Sequence, residues 1–163
     1  MNLTELTNAI ETAPAPFDKW QPKLCGDIDI EIRENGDWFF HGSKISRLQL
    51  VKLFASVLVY QDEQFYLKTP IEKMRIRVKD APFLITEWYY KESFLICRDN
   101  LGRDYILSKN HTILVKNDIP YLTLHNGLLA KVTRNVFYQW AEIAKESDGR
   151  FSISSGDHTF KIG

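Results

Sequence analysis

The stretch Lys44–Leu58, KISRLQLVKLFASVL, decides how the chain is read. Leu50, Val51, Phe54, Val57 and Leu58 recur at the spacing of one buried helical face, so the pattern predicts a helix. Ser46 is a good N-cap, Gln49 three residues on completes a capping box, and Ile45 is placed to staple onto Leu50. An echo follows 87 positions later as KVTRNVFYQWAEIAK, Lys131–Lys145. There Lys44-Ile45-Ser46-Arg47 becomes Lys131-Val132-Thr133-Arg134, and Phe137 takes the staple position of Leu50. The chain reads as one design used twice.

Working outward, each helix follows a strand, hairpin, strand pattern. Ile28–Ile32 alternates strictly, Asn35-Gly36 is a strong hairpin turn, and Trp38-Phe39-Phe40 is the return strand. In the second copy Pro120–His125, Asn126-Gly127 and Leu128–Val132 play these parts, and the helix buries Val136, Phe137, Trp140, Ala141 and Ala144. Paired strands come after each helix, Gln64–Lys68 with Lys73–Lys79 and Phe151–Ser154 with Thr159–Ile162. A shift of 85 aligns Thr69 with Ser154 and Glu72 with Asp157. Between the copies lie Pro82–Ile85, Ser93–Arg98, a turn at Asp99–Gly102, Tyr105–Ser108 and Thr112–Lys116, each short and β-like. Before the first copy, Asn2–Thr12 reads as a helix with an Asn2/Glu5 capping box and a stripe of Leu3, Leu6 and Ile10. Pro14, Pro16 and Pro22 then make an extended leader that Phe17 and Trp20 dock onto the body.

Composition excludes several classes. At 163 residues the chain is one domain or two small halves, and 44% hydrophobic residues supply a core without disulfides or a structural metal. Lys plus Arg and Asp plus Glu both number 21, so neither a nucleic-acid coat nor a polybasic membrane anchor is supported. No apolar run is long enough to span a bilayer, and Met1–Ile10 holds no secretory core. Cys25 and Cys97 read as free thiols of a cytoplasmic protein.

Chemistry centres on the two helix starts. Arg47 and Arg134 each stand at the first helical position, where the macrodipole makes an unpaired cation cost about 0.3–1 kcal/mol. One reading is a bound anion, cradled by helix amides, these arginines and Lys44 or Lys131. The other is an internal ion pair, Arg47 to Glu72 and Arg134 to Asp157. Lys73, Arg75, Arg77 and Lys79 alternate with Met74, Ile76 and Val78, a strand whose basic row either meets a partner or pairs with acids such as Asp29 and Glu31. His41, His111, His125 and His158 show no metal-ligand spacing, so no metal site is expected. No Gly-rich phosphate loop or nucleophile elbow is present, and an enzyme would need Ser155 within hydrogen-bond reach of His111 or His158.

Several motifs together resemble a bacterial family catalogued as domain of unknown function 1285. In the first half these are Cys25-Gly-Asp-Ile-Asp-Ile, Gly36-Asp-Trp38, Ile45-Ser-Arg47, Leu53-Phe54, Thr69-Pro70-Ile-Glu72-Lys73 and Ala81-Pro82-Phe83. In the second they are Pro120-Tyr121, Gly127-Leu128-Leu-Ala130, Arg134-Asn-Val-Phe-Tyr138, Ser155-Gly156 and Phe160-Lys-Ile-Gly163. The resemblance covers most of the chain beyond the leader. Thr86–Lys116 follows the pattern loosely, and His125 stands where the family tends to carry Arg. It implies a duplicated core, a second half similar to pleckstrin-homology folds, a nucleotide-like ligand where the halves meet, and a role in signalling.

The expectation is an α+β protein with two related β-rich subdomains, each with one packed helix. Residues 1–24 form the N-terminal helix and leader, 25–81 the first subdomain, and 82–163 the second, a partly open barrel or sandwich capped by its helix. The expected function is a non-catalytic binding module of a bacterial signalling pathway, without a cofactor, taking an anionic, nucleotide-like ligand between the subdomains. Arg47, Lys73 and Arg134 would meet the charge, with Glu72 beside them and Thr69, Tyr121, Tyr138 and Ser155 as polar or stacking contacts. The alternative is a protein-interaction module that uses a strand edge or the basic strand face.

Overall fold

The computed structural model describes residues 2–13 and 19–163; Pro14, Pro16 and Phe17 of the expected leader lie outside them. Two compact units divide the chain at Asp80 and Ala81.

The first unit opens with α1 (Leu3–Glu11). Asn2 caps it, its Oδ1 accepting from the Glu5 N–H at 2.8 Å, and Leu6 and Ile10 are buried. The strands are β1 (Leu24–Ile32), β2 (Trp38–Phe40), β3 (Ser43–Lys44), β4 (Leu58–Gln61), β5 (Gln64–Lys68) and β6 (Glu72–Val78), with α2 (Leu48–Ala55) between β3 and β4. Their order across the sheet is β3-β2-β1-β6-β5-β4, with β1 and β6 parallel and the other pairs antiparallel. Asn35-Gly36 makes the expected turn between β1 and β2, with Gly36 at φ 86°. Ile28, Ile30 and Ile32 of β1 turn inward with Trp38, Val51, Phe54, Leu67 and Ile76, and the Trp38 and Phe54 rings lie 6.4 Å apart.

Two features of the central helix differ from expectation. The Ser46/Gln49 box does not form: Arg47 is the N-cap, and no side chain caps the first turn. The β2–β3 ladder is the reason, since the Ile45 N–H still donates to the Trp38 carbonyl at 2.8 Å and keeps the chain extended past the expected cap. At the other end Val57 and Leu58 leave the helix, and Leu58–Gln61 pairs with β5 as β4. Val59 and Tyr60 are strand formers, and the tight turn at Asp62-Glu63, both at positive φ, closes that hairpin.

The second unit holds β7 (Phe83–Lys91), β8 (Phe94–Asp99), β9 (Asp104–Ile106), β10 (Ile113–Lys116), β11 (Ile119–Thr123) and β12 (Leu129–Val132), then α3 (Arg134–Ile143). Its sheet order is β10-β11-β12-β7-β8-β9, again with one parallel pair, β12 with β7, at the centre. The sheet stays open, α3 packs on β7, and Phe83, Ile85, Leu95, Cys97, Leu122, Ala130, Val136 and Trp140 are buried. A three-stranded sheet follows, β13 (Lys145–Ser147), β14 (Arg150–Ser155) and β15 (His158–Lys161). The helix therefore stops two residues before the expected Lys145, which joins β13.

Counted from its own first strand, each six-stranded sheet has the order 3-2-1-6-5-4. The halves are related in this sense, β1–β6 to β7–β12. The two echoing helices do not correspond within that repeat. α2 lies between the third and fourth strands, whereas α3 follows the sixth.

Candidate functional site

Arg47, as N-cap of α2, leaves the first-turn amides without a side-chain acceptor. It lines a groove of about 440 Å³ with Leu3, Thr7 and Glu11 of α1 and Gln49, Leu50 and Leu53 of α2. Among the described residues Arg47 forms no ion pair, with Glu72 or any other acid. Lys44 is engaged elsewhere, its Nζ 3.5 Å from Asp37. Arg134 occupies the first position of α3 as expected, and Thr133 before it makes no capping bond. Arg134 too has no ion pair among the described residues, so the expected Arg47–Glu72 and Arg134–Asp157 bridges are absent. Tyr138, four residues on and 56% exposed, shares the helix face of Arg134.

The other expected contacts serve their own units. Thr69 is buried, donates to the Glu72 carbonyl at 2.8 Å and accepts from the Glu72 N–H at 3.1 Å, which locks the Thr69–Glu72 turn ahead of β6. Glu72 is half-buried at the start of that strand, and the Lys73 ammonium lies 4.4 Å from the Tyr66 ring centre. Tyr121 is buried on β11, with Lys116 4.6 Å over its ring. Ser155 is buried and its Oγ accepts from the Leu95 N–H at 2.9 Å. No side-chain hydrogen bond joins Ser155 to His111 or His158 among the described residues, which leaves the nucleophile–base reading without its pair.

The basic row on β6 meets an acidic row on β1. Because the two strands run parallel, Arg75 Nε reaches Asp27 at 2.7 Å and Arg77 reaches Asp29 at 2.7 Å and Glu31 at 3.8 Å. Arg33 joins at Glu31, 3.1 Å away, and His41 Nδ1 lies 3.3 Å from Asp29. The Arg77 guanidinium holds the Asp29 carboxyl below the usual range, against a smaller opposing effect of desolvation. Arg75 and Arg77 of the basic row are thereby paired with acids of the neighbouring strand. The second unit has a matching network on its sheet, where Arg98 binds Asp104 with two of its three nitrogens, at 2.7 and 3.2 Å, and Glu87 with the third at 3.3 Å. Arg98 and a hydrogen bond from the Tyr89 hydroxyl keep the Asp104 carboxyl low.

One cluster escaped the sequence reading. Asp99 is buried at the β8–β9 turn and accepts from the N–H groups of Leu101 and Arg103, from Arg103 Nε at 2.8 Å and from the Tyr105 hydroxyl at 3.0 Å. Burial, reinforced by the Asp99 charge, pushes the Tyr105 hydroxyl upward in pKa. The Tyr105 ring meets His111 edge-on at 5.2 Å, and His111 meets His125 at 4.8 Å. The Asp99/Arg103 spacing across a Gly-containing turn was the available signal; nothing in sequence announced the histidines' meeting. Among the described residues no three His, Cys, Asp or Glu side chains group to hold a metal, and no helix is long and apolar enough to cross a membrane.

Family models for the N-terminal and C-terminal domains of DUF1285, a protein family of unknown function, match residues 15–81 and 82–162. The chain belongs to the DUF1285 family. The crystal structure of a DUF1285 family protein from Silicibacter pomeroyi DSS-3 is similar at a TM-score of 0.84 and 32% identity, covering 98% of this chain and 93% of that one. A second DUF1285 structure, from Shewanella baltica OS155, gives a TM-score of 0.60 and 31% identity over 69% of this chain and 90% of that one. No curated protein matches the chain. The family boundary at 81/82 falls one residue from the division between the two units.

Proposed function

We propose that this DUF1285 chain is a non-catalytic binding module of a bacterial signalling pathway that takes an anionic, nucleotide-like ligand. The observation that carries the reading is the pair of uncapped helix starts, each with an arginine unpaired among the described residues. A cation there works against the helix dipole, and a bound phosphate or carboxylate would reverse the sign of that cost. The exposed Tyr138 ring beside Arg134 supplies a stacking surface, a contact worth about 1–3 kcal/mol per base where it forms. The reading assigns the protein to the cytoplasm, where two free thiols persist.

The test is thermal shift of the full chain against inorganic phosphate, pyrophosphate and a panel of nucleotides. A ligand at about 100 times its Kd adds about 2.7 kcal/mol and a clear rise in Tm. Arg134→Ala or Arg47→Ala should abolish the rise, and Tyr138→Ala should lower it for nucleotides while sparing inorganic phosphate. An unchanged Tm with every anion removes the reading.

A further inference from the structure

His111 and His125 are 14 residues apart, yet the fold places their rings together. The loop before β10 closes on itself through Ser108 N–H to His111 O at 3.0 Å and His111 N–H to Ser108 O at 3.2 Å. Thr112 and Thr123 then zip the next step, Thr123 N–H donating to Thr112 O at 2.8 Å and Thr112 N–H to Thr123 Oγ1 at 2.9 Å. This brings His111 beside the Thr123–His125 segment, where β11 turns through Asn126-Gly127 into β12.

His111 Nδ1 lies 2.9 Å from the Thr123 carbonyl oxygen. A carbonyl only accepts, so Nδ1 carries a proton, and in the neutral ring Nε2 keeps its lone pair. Metal-ligating histidines are oriented in this way, with one ring nitrogen donating to a carbonyl while the other faces the ion. Neither His111 Nε2 nor either His125 nitrogen has a hydrogen-bond partner among the described residues. The rings meet at 73° with centroids 4.8 Å apart. Two imidazoles on one tetrahedral ion, with metal–nitrogen bonds of about 2.0–2.1 Å, have centroids about 5 Å apart. Tyr105, which also meets the His111 ring, gives its hydroxyl to Asp99, whose charge Arg103 offsets, and Lys109 belongs to the His111 loop.

We propose that His111 and His125 form a two-imidazole site for a divalent transition-metal ion of the zinc or copper class. Imidazole pairs favour these ions over calcium or magnesium, which want oxygen. With no third His, Cys, Asp or Glu in the group among the described residues, water or an outside donor completes the coordination. That makes the site open and exchangeable, unlike a closed structural zinc. It is independent of the anion reading, since neither histidine stands at the start of α2 or α3.

The experiment titrates EDTA-treated full-length protein with zinc chloride, followed by calorimetry and by NMR of the histidine rings. Binding of a single ion should move the His111 and His125 resonances, and affinity should fall at least about tenfold at about pH 5.5, where imidazoles take up protons. His125→Ala should weaken binding by at least about tenfold, because this ring, unlike His111, has no structural hydrogen bond to lose. His41→Ala, His158→Ala and Cys25→Ser should bind as the parent does. The proposal is overturned if His125→Ala binds zinc as tightly as the parent, if Cys25→Ser removes binding, or if millimolar zinc leaves both rings unmoved.

Discussion

Glu63 holds a backbone conformation that its side chain disfavours. It lies at φ 62° behind Asp62 at φ 53°, forming the two-residue loop between Gln61 and Gln64. Left-handed backbone costs a non-glycine residue about 1–2 kcal/mol, part of which glycine returns as lost chain entropy. Glu63→Gly is therefore expected to stabilise by about 0.5–1 kcal/mol and raise Tm by about 1–4 °C, measured by calorimetry. Gly156 is the converse case, at φ 58° with an added Cβ placed 2.7 Å from a Phe94 ring carbon. Gly156→Ala should destabilise by about 1 kcal/mol or more in the same measurement. The Asn35-Gly36 turn was legible because its residues suit positive φ, whereas Asp62-Glu63 was not, because Glu63 does not advertise it. Thr69 and Ser155 teach a related point: a hydroxyl that looks available in sequence is spent on a backbone group once the chain folds.

Among the elements, the β1–β6 pair shows how register settles the meaning of a charge row. Alternation announced both the basic row and candidate acids at Asp29 and Glu31, but only the parallel pairing put Arg77 against Asp29. Asp29 is held below its ordinary 3.8 by Arg77, so its contribution to stability is present above that value and is lost as pH falls through the lower folded one. The stability of the parent should drop between about pH 5 and about pH 2, and Asp29→Asn should flatten that slope. Urea midpoints across this range check it, and an equal slope in both proteins would refute the ladder's part. The effect is small because both partners face solvent. The helix start is the opposite lesson. Ser46 and Gln49 have the right spacing for a capping box, but the β2–β3 ladder competes for the same residues of backbone and wins.

Across the whole molecule, the two cysteines report the contrast between local and global structure. Cys25 is exposed, while Cys97 is fully buried, and burial with a lesser effect of the Asp104 charge pushes its thiol up to about 12. Native protein should give a single fast thiol with an Ellman-type reagent, lost in Cys25→Ser, and both thiols in denaturant. Equal reactivity in the native state would contradict the burial. Hydrophobic alternation, turn residues and the capped helix at Asn2 determined by themselves an α+β chain, because these signals are local and the period of a strand or helix is written in consecutive residues. Tertiary structure alone decided that the repeat runs from β1–β6 to β7–β12 and leaves α2 and α3 in different places, because strand order depends on pairings between distant segments. It also decided which charges are spent and which histidines meet. Those outcomes follow from parallel register and loop closure, and neither leaves a mark at any fixed spacing along the chain.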